Sequence, residues 1–413
     1  MMPEQNARLI AGCNAPLAAL SLFIAMFVLW GARLSGGHVV DWQGFILGRD
    51  FLNFWHYGIA AWGGEAARFY DVAFYNGLLD ALVPGHDYPD QNWSYPPHYM
   101  LLAAPFGLMG YYWALALYSA LGLWLYWKVI VTGLDGAAER LALLAMPTLA
   151  VGLLCGQVSA LLAVAFVAIY RWLDRRPLAA GLMIALLTVK PQIGLLIPLF
   201  LILTGRWRVF AAAAAGTLAL VGLSLAVHGV EVWQTWLMRG IATQSTTLTQ
   251  SNVIVMGLMP TVFVDMILIG AGRPAAIGAQ AVVSASAVAL MWLTVRATGD
   301  RFLQFAALVA AGFLVTPYLM AYDTLVLGWV MMMLARRAAM APWQGAVYFL
   351  AMAICPLGVA LALVGLPGTP LVLAGVAVWV WRAAVASDQA MAAVNRATEP
   401  SRSGSAAASS ATP

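Results

Sequence analysis

Apolar runs follow one another through most of this chain, and the charged residues are confined to the short breaks between them. That pattern limits what the sequence can fold into more than any motif does. Only 9% of the 413 residues are charged, 63% are hydrophobic and the mean hydropathy is +0.84. A water-soluble core has no use for so much apolar surface, so the chain reads as a polytopic membrane protein of all-α class. Hydropathy and loop charge place about twelve spans, at 15–34, 110–131, 141–155, 157–172, 178–190, 192–204, 209–228, 275–296, 302–317, 321–335, 343–363 and 369–382. The first run follows a weakly basic head and lacks a small-residue cleavage site, so it reads as an uncleaved helix rather than a signal peptide.

Nineteen arginines and two lysines carry the basic charge. With the N-terminus inside, fifteen of these twenty-one fall on the cytoplasmic side, among them Arg140, Arg171, Arg175, Arg176, Arg206 and Arg208. The positive-inside rule therefore orients the chain in its membrane with both termini cytoplasmic. To keep that bias, PPHYMLLAAPFGLMG (96–110) must be a re-entrant or interfacial helix, which its length, below the ~20 residues of a span, permits. Residues 1–386 then form one transmembrane domain with two long outer segments, 35–95 and 228–274, and the Ala/Ser-rich stretch 387–413 reads as a disordered tail. Loops this long are usually functional. Two of the central spans, 178–190 and 192–204, are short, about thirteen residues or roughly 20 Å of helix, and short spans ending on the outside would leave a cavity dipping into the bilayer from that face. The basic excess belongs to membrane loops and implies no nucleic acid. The three cysteines and five histidines show no metal-ligand spacing, so neither a metal nor a disulfide framework is expected.

Several polar residues stand where an oily chain would not place them without reason. The first outer segment contains GRDFLNFWHYGIAAW; as a helix it would put Asp50, Phe54, Tyr57 and Trp62 near one side, an aromatic wall with a carboxylate at its N-terminal end. Aromatic faces stack on sugar rings and carboxylates accept sugar hydroxyls; the competing reading is a helix cap beside an interfacial aromatic belt. Lys190 interrupts MIALLTVKPQIGLLIPLFLIL, where Pro191 breaks the helix beside it and Gln192 follows. An ionisable group in such a run is by default a functional candidate, here for an anionic headgroup, against the alternative of snorkelling to the interface. Tyr318, Tyr322 and Asp323 in TPYLMAYDTLVL, and Gln157 in LLCGQVSALL, sit at outer helix ends. Arg239 offers a second anion ligand or a solvated loop charge. No nucleotide-binding motif or cytoplasmic domain is present in the sequence, so a catalytic outer cavity would need a donor already activated in the membrane and carrying an anionic leaving group.

Five elements in order, GRDFLNFW…FYD, SYPPHYMLLAAPFGLM, GQVSALL, KPQIGLLIP and TPYLMAYD, resemble glycosyltransferase family 87 over residues 45–330. These are bacterial enzymes of the GT-C fold, related to mannosyltransferases that use polyprenyl-phosphate-mannose. The resemblance implies a cofactor-independent, inverting hexosyltransferase, mannosyltransferase-like, acting on the periplasmic side. It would move a sugar from a polyprenyl-phosphate donor to an envelope glycolipid or glycan acceptor, in contact with membrane lipids. Asp50 matches the family's general base. Relatives often carry His in the segment matching TPYLMAYD, whereas this chain has Tyr318, Met320 and Tyr322 there. Lys190 and then Arg239 would hold the phosphate. Arg49 would orient Asp50 or approach the phosphate, and Trp55, Tyr57, Tyr95, Gln157, Gln192, Tyr318 and Asp323 would line the substrate site. The rival reading is a secondary transporter or flippase with Lys190 and Asp323 at mid-membrane, which would be expected to show paired halves that the sequence lacks.

Overall fold

A computed structural model describes residues 2–83, 88–91 and 94–398. The rest of the first outer segment and residues 399–413 of the expected tail lie outside the described residues. Among those described, the only sheet is a two-stranded antiparallel ladder, Arg33–Ser35 with His38–Val40, and helices make up nearly everything else. Each of the twelve apolar runs is helical, but they are not equivalent. Five helices are long and apolar enough to cross a membrane: Glu4–Leu29, Tyr111–Gly133, Trp207–His228, Arg273–Ala297 and Thr369–Ala390. Two bent pairs, Ala137–Leu144 with Pro147–Cys155 and Pro342–Met352 with Ile354–Leu363, raise the number to seven if each is one span. The chain is thus a multi-pass membrane protein, with five to seven crossing helices by length where about twelve were expected.

The remaining runs are shorter helices, among them Ser159–Trp172, Pro177–Leu187, Pro191–Leu203, Arg301–Val315 and Ala321–Ala335. At 1.5 Å per residue a 14-residue helix reaches ~21 Å, well short of the ~30 Å hydrocarbon core. Their side chains explain the length. Most residues of Ser159–Trp172, Arg301–Val315 and Val326–Ala335 are buried within the protein. The long helices instead expose large apolar side chains such as Phe23, Trp124, Leu218, Val282 and Leu371, as lipid-facing helices do. Hydropathy responds to both kinds of burial and does not distinguish them.

One end of this bundle is tied by ions. Asp174 takes Arg206 at 3.0 Å and Arg301 at 2.8 Å, Arg337 is bidentate on Asp300, and Arg336 pairs with Glu139. Asn6 donates to the carbonyls of Ala335 and Ala338, which caps the end of Val326–Ala335 from the first helix. The opposite end of Ser159–Trp172 carries the outer segments. There the loop helix Arg49–Gly63 packs along the nine-residue helix Tyr99–Gly107, the piece expected to be re-entrant. Gly58 and Gly107 make the crossing possible, because a Cβ on either would strike the other's backbone. The second outer segment folds into short helices, Val230–Thr235, Ile241–Gln250, Val253–Gly257 and Val262–Leu268, with a π turn at Trp236–Gly240. The last helix continues to Thr398, beyond the point where the tail was expected to lose structure.

Candidate active site

Asp50 lies in the first turn of the loop helix, whose N-cap is Gly48 in the left-handed region (φ 77°) and which has no side-chain cap bond. The capping reading of Asp50 is therefore wrong for this fold, and its carboxylate is left for other partners. One comes from the turn before Ser159–Trp172. Gly156 ends the preceding helix at φ 70°, and a Cβ there would collide with Cβ of Phe51. Only glycine allows the turn to press against the loop helix this closely. The next residue, Gln157, then reaches Asp50: Nε2 donates to Oδ2 at 2.8 Å. Among the described residues nothing hydrogen-bonds Oδ1 of Asp50.

Asp50 lines a cavity of about 510 Å³. Its walls come from the loop helix (Arg49, Asp50, Asn53), the loop residues Asp90, Gln91 and Ser94, the second outer segment (Thr246, Thr247, Ser251, Asn252, Val255, Leu258, Met259), and Tyr318, Met320 and Tyr322. Among the described residues Arg49 is the cation of this wall; its guanidinium stands 4.8 Å from the Phe45 ring and donates to Gln43 at 3.3 Å. Asp90 accepts from Asn76 at 2.9 Å, and Asn53 is held by the Tyr75 hydroxyl. A second, smaller pocket of about 40 Å³ adjoins it, sharing Ser94 and Tyr318, and is lined also by Tyr95, Lys190, Gln192 and Trp236. Lys190 is 4% exposed and bonds both oxygens of Asp323, at 2.8 and 3.0 Å; Asp323 is 2% exposed. Below these loops His98 stacks on Trp233 and bonds Thr188 at 3.1 Å, and burial pushes its pKa down to about 4. Among the described residues no three His, Cys, Asp or Glu side chains converge as metal ligands would.

Of the residues singled out in the sequence, Arg49, Asp50 and Tyr318 line the main cavity. Tyr95, Lys190 and Gln192 line the small one, and Gln157 and Asp323 stand directly behind. Three are elsewhere. Trp55 donates to the Met109 carbonyl at 2.8 Å and packs on Tyr111; Tyr57 is fully buried against Phe69 and Tyr70; Arg239 pairs with Asp71 at 2.5 Å on the exposed surface. The expected aromatic wall is not assembled at the cavity: Phe54 packs inward on Tyr95 and Tyr99, whereas Trp62 is exposed with its indole on the Ala104 carbonyl. The apolar face of the loop helix meets another helix, not a cavity. Sequence reasoning passed over Asn53, Asp90, Thr246, Thr247 and Asn252, whose only sequence signal is membership of two long polar segments.

The model of glycosyltransferase family 87 matches residues 93–319, more than half of the chain. That stretch includes Tyr95, Gln157, Lys190, Gln192 and Tyr318 and ends before Asp323; Asp50 lies upstream of it. No curated protein and no solved structure matches the chain.

Proposed function

The chain belongs to glycosyltransferase family 87 and is a membrane glycosyltransferase; on that premise we propose that it transfers a hexose, mannose in the first instance, from a polyprenyl-phosphate donor to a glycolipid or glycan hydroxyl on the periplasmic face of the inner membrane. Asp50 is the general base. Its Oδ1 takes the proton of the acceptor hydroxyl while that oxygen attacks the anomeric carbon from the face opposite the phosphate. The C–O bond to the phosphate breaks, polyprenyl phosphate leaves with the electron pair, and the anomeric configuration inverts. A second carboxyl acting as acid, as in a glycosidase, is unnecessary because the leaving group is already acidic. A cation must stabilise the departing charge, and Arg49 is placed for it on the cavity wall. The Lys190 ammonium faces Asp323 instead, and Arg239 stands away from the cavity, so the phosphate role first expected of them passes to Arg49. Asn53, Asp90, Thr246, Thr247 and Asn252 supply donors and acceptors for sugar hydroxyls.

What carries this reading is a cavity-lining carboxylate with one oxygen held and the other without a hydrogen-bond partner among the described residues. The test is transfer from labelled polyprenyl-phosphate-mannose to a panel of envelope glycolipids by purified protein in nanodiscs. The wild type should transfer with inversion, and Asp50→Asn should insert normally but lose at least ~10²-fold in kcat, the usual contribution of a positioned base. Normal turnover by folded Asp50→Asn would overturn the assignment.

A further inference from the structure

Behind Asp50 the structure holds a chain of polar groups that ends in the buried ion pair. The Gln157 amide uses both of its donors and both acceptor positions: Nε2 donates to Asp50 Oδ2 at 2.8 Å and to the Tyr322 hydroxyl at 3.0 Å, and Oε1 accepts from Lys190 Nζ at 3.2 Å and, at 3.5 Å, from the Tyr95 hydroxyl. The Lys190 ammonium is equally committed. It has three N–H donors, and it makes three bonds, two to Asp323 and one to Gln157. None remains for a donor phosphate.

The order of these groups gives them a role. An amide is nearly symmetric in shape, so packing alone would accept Gln157 in either of two orientations. Charge does not. A carbonyl turned towards Asp50 would set two acceptors against each other, and an NH₂ turned towards Lys190 would set two donors against each other. The ammonium on one side and the carboxylate on the other select the same orientation. Asp323 in turn fixes the ammonium, which stands 5.1 Å from the Tyr322 ring. Resting on the reading of Asp50 as base, we propose that Gln157, oriented by the buried Lys190–Asp323 pair, is the positioning residue of the reaction. It anchors Oδ2 so that Oδ1 alone meets the acceptor hydroxyl.

The experiment compares wild type, Asp50→Asn, Gln157→Leu, Gln157→Glu, Lys190→Met/Asp323→Leu and the triple variant combining the last with Gln157→Leu. Each is purified into nanodiscs, checked for folding by thermal melting, and assayed for kcat and for donor and acceptor KM. Gln157→Leu should lower kcat on the order of 10²-fold, the cost of a misplaced reacting group, with both KM values within about twofold of wild type. Gln157→Glu keeps the volume and the contact with Lys190 but presents a second carboxylate to Asp50, so it should fold and lose at least as much. The ion-pair double variant should lose kcat as well, and the triple variant should be no worse than Gln157→Leu, because all act through one contact. Unchanged kcat in the Gln157 variants, full additivity in the triple variant, or a raised donor KM with intact kcat on removing the ion pair would each overturn the inference while leaving the base in place. Normal transfer by Asp50→Asn, or no transfer by wild type, would instead bring down the underlying reading and the inference with it.

Discussion

Replacing Lys190 by methionine removes an ammonium that is 4% exposed and leaves Asp323, 2% exposed, with no side-chain partner among the described residues. Breaking one side of a buried pair typically destabilises by about 3–5 kcal/mol, so Lys190→Met should lose about 4 kcal/mol and Asp323→Leu a similar amount. The double variant Lys190→Met/Asp323→Leu leaves no buried charge, and apolar replacement of a whole pair is usually neutral or better. It should recover most of the loss, less the acceptor left on Gln157. The assay is unfolding of the purified protein in mild detergent, followed by denaturant or temperature, on all four proteins. Single variants as stable as wild type would mean that water reaches the pair and refute its burial. A double variant no better than the worse single would mean that the pair itself, and not the avoidance of a lone charge, holds these elements together.

Two further perturbations test how the site is built. Gly156→Ala must hold a side chain at φ 70° and drive its Cβ into Phe51; the left-handed backbone alone costs about 1–2 kcal/mol, so both melting temperature and transfer should fall, and wild-type values for both would refute the close approach that brings Gln157 to Asp50. The outer loops should also be acid-sensitive. Burial pushes His56 and His98 from an ordinary 6.5 to about 4, and the Nδ1 atom of each is buried without a hydrogen-bond partner among the described residues. Depressed values mean that their contribution is complete above pH 6.5 and is lost as pH falls towards 4, on the order of 3 kcal/mol for each. The unfolding midpoint between pH 7.5 and 4.5 should drop steeply in wild type and more gently in His56→Gln and His98→Gln; identical slopes would refute the assignment.

How far the sequence carries depends on what kind of burial is asked about. A lysine inside MIALLTVKPQIGLLIP stands out because few placements tolerate it, and Asp323 stands out for the same reason; that they meet across 133 positions is a property of packing that no local pattern encodes. For the loop helix the sequence supports only a conditional reading, that a helix there would gather Asp50, Phe54, Tyr57 and Trp62 near one side. Periodicity reports that a face is apolar, not what covers it: Phe54 is covered by Tyr95 and Tyr99, and Tyr57 by Phe69 and Tyr70. The same ambiguity bears on the span count, since a helix buried in protein and one bathed in lipid have the same hydropathy. Thr246, Thr247 and Asn252 were overlooked because uncharged hydroxyl and amide side chains in a polar segment look like any solvated loop, yet a site for a neutral sugar needs just such groups. Gln157 is the instructive case. Nothing in GQVSALL distinguishes its amide from a glutamine at any helix end, and the role proposed for it arises only because the preceding glycine turns it into the gap between a carboxylate and an ammonium. The residues that sequence identifies best are those whose chemistry is costly where they stand, whereas those that set their geometry become visible only when the neighbours are in place.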